Sequence, residues 1–381
     1  MTDVSTYGIY PSNPDNSALL QSAIDGGAMA LHFSEPAVYN FLDTVTIPQG
    51  ARITFTGAGY GMTTLKLFAT SGRPLFKYLR PVGQPMAIAS FENLIFSWAG
   101  AVGAAGSKAI TFIGAAASVS DSWIRVDGCM FYCFEVDVEI AYATMNHFTG
   151  NWHAFGTYAY ILGRGASFTH FTRVFSFNKN FIYARDDQDD AFSNGLFLEQ
   201  CNAITAQGCN MFVRGWQAVF IDKCGFDLGS ADAAALWFRN CQDVNVSQSF
   251  ISSNGNGSRD GVLLDQTHTF VIRDNTIVNN RVGVNVLPPT AHSPSNGVIC
   301  GNTFDGNSIN DVLLMPNCKG VKIKDNHHKK QMSRTGTNYE IYGNLPGVNN
   351  CHVMDNSFAG GPYPIIVGPN SVVRDNLFGV A

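Results

Sequence analysis

Short runs of alternating apolar and polar residues recur along the second half of the chain, and each is followed by an amide side chain. The runs include FVIRD before Asn275, GVKIKD before Asn326 and SVVRD before Asn376. Alternation with a period of two predicts a β-strand with one buried face. Because the strands return at irregular intervals of 20–38 residues, they predict the stacked turns of a parallel β-solenoid. The amide anchors are Asn210, Gln248, Asn275, Asn302, Asn326, Asn356 and Asn376.

The amide anchor has a physical role in such a coil. Successive turns stack about 4.8 Å apart, so each anchor lies above its counterpart in the previous turn. Asn tolerates a left-handed backbone, and its amide can bond the next Asn in the stack. Stacked like charges would repel, and charged residues make up only 14% of the chain. We therefore expect stacking in register of Asn275, Asn302, Asn326 and Asn356.

The N-terminal segment predicts one helix. NPDNSALLQSAIDG at 13–26 places Asn13 at the N-cap and Pro14 in the first turn. The first turn of a solenoid exposes a free strand edge, which a helix at 14–25 would cover. We therefore expect residues 1–29 to form a cap and residues 30–381 to form the coil. The apolar face of the helix is expected to consist of Leu19, Leu20, Ala23 and Ile24.

Composition and charge narrow the function. A net charge of −5 and a pI near 6.0 give no basic surface for nucleic acid. No apolar run reaches the length of a membrane span. The nine cysteines include no CxxC pair, which favours reduced thiols. The N-terminus lacks the basic and apolar segments of a signal peptide. We expect a protein made in the cytosol, with no nucleic-acid partner and no membrane insertion.

Over most of its length the chain resembles the pectate-lyase-like superfamily of right-handed β-helices. The resemblance rests on the helix PDNSALLQSAID, the strand pair TVTIPQGARITFTGAG at 44–59, and the Asn-corner turns from residue 208 onward. The helix followed by strands is most similar to the N-terminal cap of phage tailspike depolymerases. The resemblance implies a single right-handed parallel β-helix that acts on polysaccharides. It also implies a homotrimer, found in a virion tail or outside the cell after lysis.

Outward positions in the longer turns carry the candidate catalytic groups. In GLFLEQC and AVFIDKC, alternation turns Leu196 and Leu198 inward. Phe197 and Glu199 then face outward. Carboxylates one or two turns apart would be separated by roughly 5–10 Å, which spans the separations used by glycosidases. Glu199 is the expected acid, because flanking aromatic side chains would desolvate it and raise its pKa. The catalytic candidates are Glu199, Asp222, Asp227 and Asp232.

Aromatic and polar neighbours are expected to bind the sugar chain. Outward aromatic rings in the same column would form a stacking wall, and loops inserted at 184–195 and 225–234 would enclose a groove. The step from Asp222 to Arg239 is too short for a full turn, so one of the two is expected on another face. The substrate-binding candidates are Phe197, Phe220, Trp237, Arg239 and Asp265.

The segment RDDQDDAF at 185–192 is the densest acidic cluster. The segment can be a solvated loop, the second-choice catalytic site after the Glu199 column, or a Ca²⁺ site with hard oxygen ligands. QDDAF is faintly similar to the paired-Asp motif of polygalacturonases, but the other motifs of that family are absent, which argues against that activity. No cofactor or metal is expected apart from Ca²⁺ at this loop. Its carboxylates are Asp186, Asp187, Asp189 and Asp190.

Further expectations concern aromatic residues. We expect His147, His153 and His170 to pack in ladders, and His327 and His328 to lie on an exposed turn. Outward apolar side chains in the middle turns would be exposed on a lone coil, which favours a homotrimer. These side chains are Phe131, Trp152 and Phe175.

The sequence thus predicts a polysaccharide depolymerase of the tailspike type, an endo-glycosidase that cleaves a bacterial surface or extracellular glycan with a carboxylate pair. The first alternative is a polysaccharide lyase or glycan transferase on the same scaffold. A lyase needs a base and a group that neutralises a uronate carboxylate. The second alternative is a non-catalytic glycan-binding spike.

Overall fold

In the computed structural model the chain is an all-β parallel β-solenoid with one short α-helix, which confirms the expected fold class. It divides into two compact units, Met1–Ala184 and Arg185–Ala381. In each unit the strands stack into three parallel sheets, named here the first, second and third sheet in chain order. The structure describes residues 1–68, 73–79, 87–114, 122–186, 193–205, 208–228, 234–253, 259–288, 296–329, 339–359 and 365–379.

The first unit begins with a 3-10 helix, Val4–Tyr7, and the α-helix Ser17–Asp25. Its first sheet contains Thr2–Asp3, Ala30–Phe33, Arg52–Gly57, Ile88–Glu92, Trp123–Asp127, His147–Thr149 and Thr169–Thr172. Its second sheet contains Val38–Phe41, Thr63–Leu67, Leu94–Trp98, Met130–Tyr132, Trp152–Ala154 and Phe175–Phe177. Its third sheet contains Val45–Thr46, Pro74–Leu79, Ala104–Ile113, Phe134–Ala141, Tyr158–Leu162 and Asn180–Arg185.

The second unit repeats the same order of sheets. Its first sheet contains Ser193–Glu199, Trp216–Asp222, Gln242–Ser247, Phe270–Arg273, Gly297–Cys300, Val321–Lys324, His352–Met354 and Val372–Arg374. Its second sheet contains Asn202–Thr205, Gly225–Leu228, Phe250–Ser252, Thr276–Val278, Thr303–Asp305, His327–His328, Ser357–Phe358 and Leu377–Phe378. Its third sheet contains Met211–Arg214, Ala234–Arg239, Asp260–Asp265, Val282–Leu287, Asn310–Leu314, Ile341–Gly343 and Ile365–Val367.

Inward side chains of successive turns stack on one another and form the core. In the first unit the rings of Phe96 and Phe131 are 4.9 Å apart and nearly parallel, at 7°. Phe131 is completely buried, so the expectation that it faces outward is wrong. The reason is register, because Phe131 lies directly beside the inward Phe96. Its strand neighbours therefore face outward. Trp152 and Phe175 do lie on the outward face, paired in register.

Asparagines form a continuous ladder at the corner between the first and second sheets of the second unit. Asn302 Oδ1 accepts hydrogen bonds from both the backbone N and the Nδ2 of Asn275, each at 3.0 Å. Asn302 Nδ2 donates to Ile272 O at 2.9 Å and to Asn326 Oδ1 at 3.0 Å. The same pattern continues through Asn356 to Asn376. The expected stacking of these asparagines is confirmed.

The residue before each corner, rather than the asparagine, adopts the left-handed backbone. The φ angle is 58° at Asp274, 67° at Gly301 and 56° at Asp325. These residue types tolerate a positive φ better than most. Gln248, with φ 48°, is such a preceding residue. It is therefore not an anchor, and the corner position in its turn belongs to Ser249, whose Oγ accepts a hydrogen bond from Cys224 N at 3.1 Å.

Asn210 also lies outside this ladder. It directly precedes the strand Met211–Arg214, which belongs to the third sheet. The phrase GCNMF resembles the later phrases in composition, but it comes at a different corner of the turn. A sequence repeat with an irregular period shows that a turn is present, but not which corner of the turn a residue occupies. For this reason Asn210 was assigned to the wrong corner.

The N-terminal helix begins at Ser17 rather than near residue 13. Asp15 Oδ1 accepts hydrogen bonds from both N and Oγ of Ser17, at 2.9 and 2.6 Å, and such local bonds compete with a helix. Gln21 bonds both backbone groups of Thr46, at 2.7 and 3.1 Å. The helix therefore provides hydrogen-bond partners for the free edge of Val45–Thr46, the first strand of the third sheet. Leu20, Ala23 and Ile24 are buried, but Leu19 is 38% exposed, contrary to expectation.

All nine cysteines lie within the described residues, and all are free thiols. Cys201 and Cys224 occupy the corner column below Ser249, where Cys201 N donates to Cys224 Sγ at 3.4 Å. Small side chains thus take the corner position before the asparagines of the second unit begin. Among the helices that the structure describes, none has the length and apolar character required to cross a membrane.

Candidate functional site

Glu199 and Asp222 are direct register partners on neighbouring strands of the first sheet in the second unit. Phe197 and Phe220, two residues earlier on the same strands, are also partners, with ring centroids 5.4 Å apart and planes within 3°. Leu196 and Leu198 are buried, so alternation leaves this carboxylate pair and this aromatic pair on one outward face.

The environment of Asp222 favours its charged form. Partial burial alone would raise its pKa, but hydrogen bonds from Ser247 and Lys223 outweigh this effect and lower the pKa. Ser247 Oγ donates to Asp222 Oδ1 at 2.8 Å, and Lys223 Nζ is 3.1 Å from Oδ2. The positive charge of Arg273 adds to the lowering. Asp222 is therefore an ionised carboxylate at neutral pH.

Glu199 has a different environment. Its side chain is exposed, whereas the sequence suggested desolvation by flanking aromatic side chains. The rings of Phe197 and Phe220 face each other across the strand spacing, so they shield one another more than they shield the carboxylate. The pair therefore consists of one exposed acid and one half-buried, hydrogen-bonded carboxylate.

The other binding candidates lie on a different sheet. Trp237, Arg239 and Asp265 belong to strands of the third sheet. Arg239 Nε is 3.5 Å from Asp265 Oδ2, and Trp237 meets Phe212 edge to face at 5.0 Å. The expectation that Trp237 and Asp265 share a column with Phe197 is therefore wrong, whereas the expectation that Asp222 and Arg239 lie on different faces is confirmed. The 17 residues from Asp222 to Arg239 carry the chain to the third sheet instead of a full turn.

Of the remaining carboxylate candidates, the two that the structure describes do not join the pair. Asp227 lies on Gly225–Leu228 in the second sheet, next to the buried Phe226. Asp186 is buried, and its Oδ2 accepts a hydrogen bond from Ser193 Oγ at 3.0 Å. Most of the residues in the two loops expected to enclose a groove lie outside the described residues. So do four carboxylate candidates, Asp187, Asp189, Asp190 and Asp232.

The first unit contains a matching pair that the sequence did not suggest. Glu92 and Asp127 are register partners at the ends of two first-sheet strands. Ser90 Oγ donates to Glu92 Oε1 at 3.0 Å, and Arg125 Nη2 lies 2.8 Å from Asp127 Oδ2. Each carboxylate is therefore already bonded by a neighbour on its own strand.

A buried polar network lies inside the coil of the first unit. His153 Nδ1 is 2.8 Å from Asp137 Oδ2, and its Nε2 is 2.7 Å from the Tyr160 hydroxyl. Asn178 Nδ2 donates to the same Asp137 oxygen at 2.6 Å. Burial raises the pKa of Asp137, although the bonds from His153 and Asn178 oppose the shift. Both side chains of the Asp137–His153 pair are completely buried, so this network does not take part in surface chemistry.

A similar network in the second unit contains, among the described residues, a group of side chains that could hold a metal ion. His328 is buried between the rings of Phe304 and Phe358, at 5.0 and 4.5 Å, so the expectation of an exposed turn is wrong. Its Nδ1 is 2.9 Å from Asp311 Oδ2. Glu340 completes a buried group whose possible ligand atoms lie within 4.8 Å of one another. The sequence HHKK gave no sign of this burial, because the histidines come directly after a corner and before two lysines.

Comparisons with known proteins agree with this fold. The family model described as "Periplasmic copper-binding protein (NosD)" matches residues 225–378. No curated protein is significantly similar in sequence. Tailspike protein 3 of bacteriophage CBA120 is 12% identical, with a TM-score of 0.61 over 99% of this chain and 61% of the tailspike. The chain thus spans less than two thirds of that relative.

Two enzymes match over nearly their whole length. The A-module of the mannuronan C-5 epimerase AlgE6 from Azotobacter vinelandii is 12% identical, with a TM-score of 0.67 over 100% of both chains. DFA-IIIase from Arthrobacter chlorophenolicus A6 is 13% identical, with a TM-score of 0.58 over 98% of this chain and 97% of the enzyme. Identities this low carry the fold alone. The chain shares with these three proteins the parallel β-helix fold.

Proposed function

We propose that this protein is a glycan-cleaving enzyme of the phage-tailspike type, an endo-glycosidase with Glu199 and Asp222 as its catalytic carboxylates. The observation that carries the proposal is their direct register on one outward face, beside the stacked rings of Phe197 and Phe220. Structural neighbours that act on carbohydrates, such as the mannuronan epimerase, support a glycan substrate.

The separation of the pair favours a retaining mechanism. Neighbouring strands are about 4.8 Å apart, close to the roughly 5–5.5 Å between the carboxyl groups of retaining glycosidases. Asp222, whose pKa is lowered, attacks the anomeric carbon as the nucleophile. Glu199 donates its proton to the leaving oxygen. Glu199 then removes a proton from water, which releases the sugar from Asp222 and restores both groups.

The assembly and location of the protein belong to the same proposal. The likeness to a phage tailspike supports a homotrimer in a virion tail, with a bacterial surface polysaccharide as the substrate. The outward rings of Trp152 and Phe175, stacked at 4.9 Å, add apolar surface of the kind that subunit contacts bury.

The test is cleavage by point variants. We expect Glu199→Gln and Asp222→Asn each to lower turnover about 10²–10⁴-fold, the usual contribution of acid–base catalysis, with glycan binding retained. The substrate is first sought among capsular polysaccharides and lipopolysaccharides, with product masses as the readout. Glu92→Gln and Asp127→Asn are matched controls, since they alter the equivalent pair of the first unit. Wild-type cleavage by both Glu199→Gln and Asp222→Asn would refute the assignment.

A uronate lyase is the second candidate, and a specific observation favours it. Lys223 is 3.1 Å from Asp222 Oδ2, and Arg273 also acts on Asp222 electrostatically. These cations could neutralise a uronate carboxylate while a neighbouring carboxylate removes the acidic proton. A lyase would leave an unsaturated product that absorbs ultraviolet light, whereas a hydrolase adds the mass of water.

A further inference from the structure

Three side chains with metal-binding atoms meet inside the coil of the second unit. Asp311 lies on a strand of the third sheet, and Glu340 directly precedes the next strand of that sheet. His328 belongs to the second sheet. One ligand atom from each of the three residues lies within 4.8 Å of the other two. Asp311 and His328 are each 1% exposed and Glu340 is 8% exposed, so the whole group is shielded from solvent.

The surrounding structure holds these side chains in place. The backbone N of Asp311 donates to the carbonyl O of Glu340 at 2.9 Å, which joins the two acidic residues across one strand spacing. The imidazole of His328 lies between the rings of Phe304 and Phe358 and is nearly parallel to both, at 13° and 11°. Side chains that are already ordered lose little conformational entropy when they bind a metal ion.

The buried network of the first unit shows what is different here. His153 also stacks on a phenylalanine ring and bonds Asp137 through Nδ1, but its Nε2 is 2.7 Å from the Tyr160 hydroxyl. In the second unit the third member of the group is a carboxylate, Glu340, instead of a neutral phenol. Among the described residues, no other group of three histidine, cysteine or acidic side chains comes together in this way.

Two carboxylates in the interior favour a bound cation. Buried charges are usually paired or coordinate a metal, because the loss of hydration is costly. Protonation of His328 would balance one carboxylate, whereas a divalent cation balances both and binds the imidazole in its neutral form. Asn307 Nδ2 also donates to Asp311 Oδ1 at 2.8 Å, and outer hydrogen bonds of this kind orient metal-binding carboxylates.

The donor atoms select the class of metal. One imidazole nitrogen and two carboxylate oxygens suit a divalent first-row transition metal such as Zn²⁺. Ca²⁺ takes about six to eight oxygen ligands, which is more than this group offers. Bonds from Zn²⁺ to nitrogen or oxygen are about 2.0–2.2 Å long, so small side-chain rotations would bring all three ligand atoms into contact with one ion.

We propose that Asp311, His328 and Glu340 bind one divalent transition-metal ion of the Zn²⁺ class. The ion links two successive turns of the coil, because Asp311 comes from one turn and the other two ligands come from the next. Its role is structural. The unfolded chain lacks the preformed site, so metal binding adds to the stability of the folded coil.

The test uses the full chain without an affinity tag, stripped of metal with EDTA and dialysed. Titration calorimetry with ZnCl₂ gives affinity and stoichiometry, and thermal unfolding gives the stabilisation. We expect about one Zn²⁺ per chain and a higher unfolding temperature with Zn²⁺. Loss of an outer hydrogen bond costs about 10–100-fold in metal affinity, so Glu340→Gln and His328→Gln, which remove a ligand itself, should each weaken binding at least about 100-fold. Asp137→Asn, in the corresponding network of the first unit, is the matched control and should bind Zn²⁺ like the wild type.

The outcomes decide between a metal site and a purely hydrogen-bonded network. A wild-type chain that takes up no Zn²⁺, or Glu340→Gln that binds Zn²⁺ as tightly as the wild type, overturns the proposal. Equal weakening in Asp137→Asn overturns it as well, since uptake would then follow general stability. Preference for Ca²⁺ or Mg²⁺ over Zn²⁺ would overturn the class of metal. Co²⁺ provides a second readout, because its visible absorption depends on its ligands. A Co²⁺ spectrum that is the same in the wild type and Glu340→Gln would place the ion elsewhere and overturn the site.

Discussion

Glu199 lies directly opposite Asp222 on the next strand of the first sheet, and the register of the backbone fixes this pairing. The two carboxylates differ in their surroundings, since Asp222 is bonded by Ser247 and Lys223 while Glu199 is exposed. Either side chain can therefore be changed without removing the hydrogen bonds that hold the other.

The lowered pKa of Asp222 predicts activity that persists to acidic pH. Its charged form is present above a folded pKa that lies below the ordinary value of 3.8, so the acidic limb of kcat/KM should lie below that value. Ser247→Ala and Lys223→Gln remove stabilising partners and should shift the limb to higher pH. Lys324→Gln, which alters an ion pair with Asp325, should leave the limb in place. An unmoved limb in both test variants contradicts the prediction.

Loss of one amide from the corner ladder should be costly. Asn302→Ala removes two accepted and two donated hydrogen bonds and leaves buried backbone groups without them. We expect the free energy of unfolding to fall by about 2–4 kcal/mol, measured by urea denaturation. Asn376→Ala, at a partly exposed position, should cost about 1 kcal/mol. Equal losses at the two positions would disprove the role of burial.

The buried carboxyl of Asp137 predicts a dependence of stability on pH. Because its pKa is raised, the folded protein binds this proton more tightly than the unfolded chain does. The stability gained from the proton is fully present below the unfolded value of 3.8, and it is lost as pH rises through the folded pKa. Asp137→Asn should flatten this decline in thermal unfolding measured across pH. Asp243→Asn, at an exposed position, should retain it, and an unchanged slope in Asp137→Asn would count against the prediction.

Assembly as a homotrimer predicts a mass in solution about three times 41.3 kDa. Light scattering coupled to size exclusion measures this mass directly at micromolar concentration. Trp152→Ser and Phe175→Ser would reduce the outward apolar surface and, if these rings form the contact, should shift the mass towards the monomer. A 41.3 kDa species in the wild type rules out the trimer.

Much of the coil could be predicted because its signals are local. The alternation around Asn275 and Asn302 identifies both the strand and the corner, and the residues that bond are equivalent members of one repeat. The same reasoning correctly predicted that Leu196 and Leu198 face inward and that Glu199 pairs with Asp222. It succeeded because both carboxylates end strands of the first sheet.

The rest depends on how far around the turn a residue lies, which local patterns do not contain. Trp237 and Asp265 appeared to continue the column of Phe197, but irregular turn lengths bring them to the third sheet. His153 stacks on Phe131 in a ladder, as expected, but alternation gives no sign of its bond to Asp137, 16 residues away.

The geometry of the amide ladder in the second unit does not depend on the lengths of the loops between its rungs. Its intervals vary from 20 to 30 residues, yet the bonds between successive side-chain amides stay within 2.9–3.0 Å. Extra residues in a turn therefore leave the amide ladder unchanged. Loops from a homologous coil could be exchanged between two rungs of this ladder without redesign of the interior, which makes the coil a modular support for new surface loops.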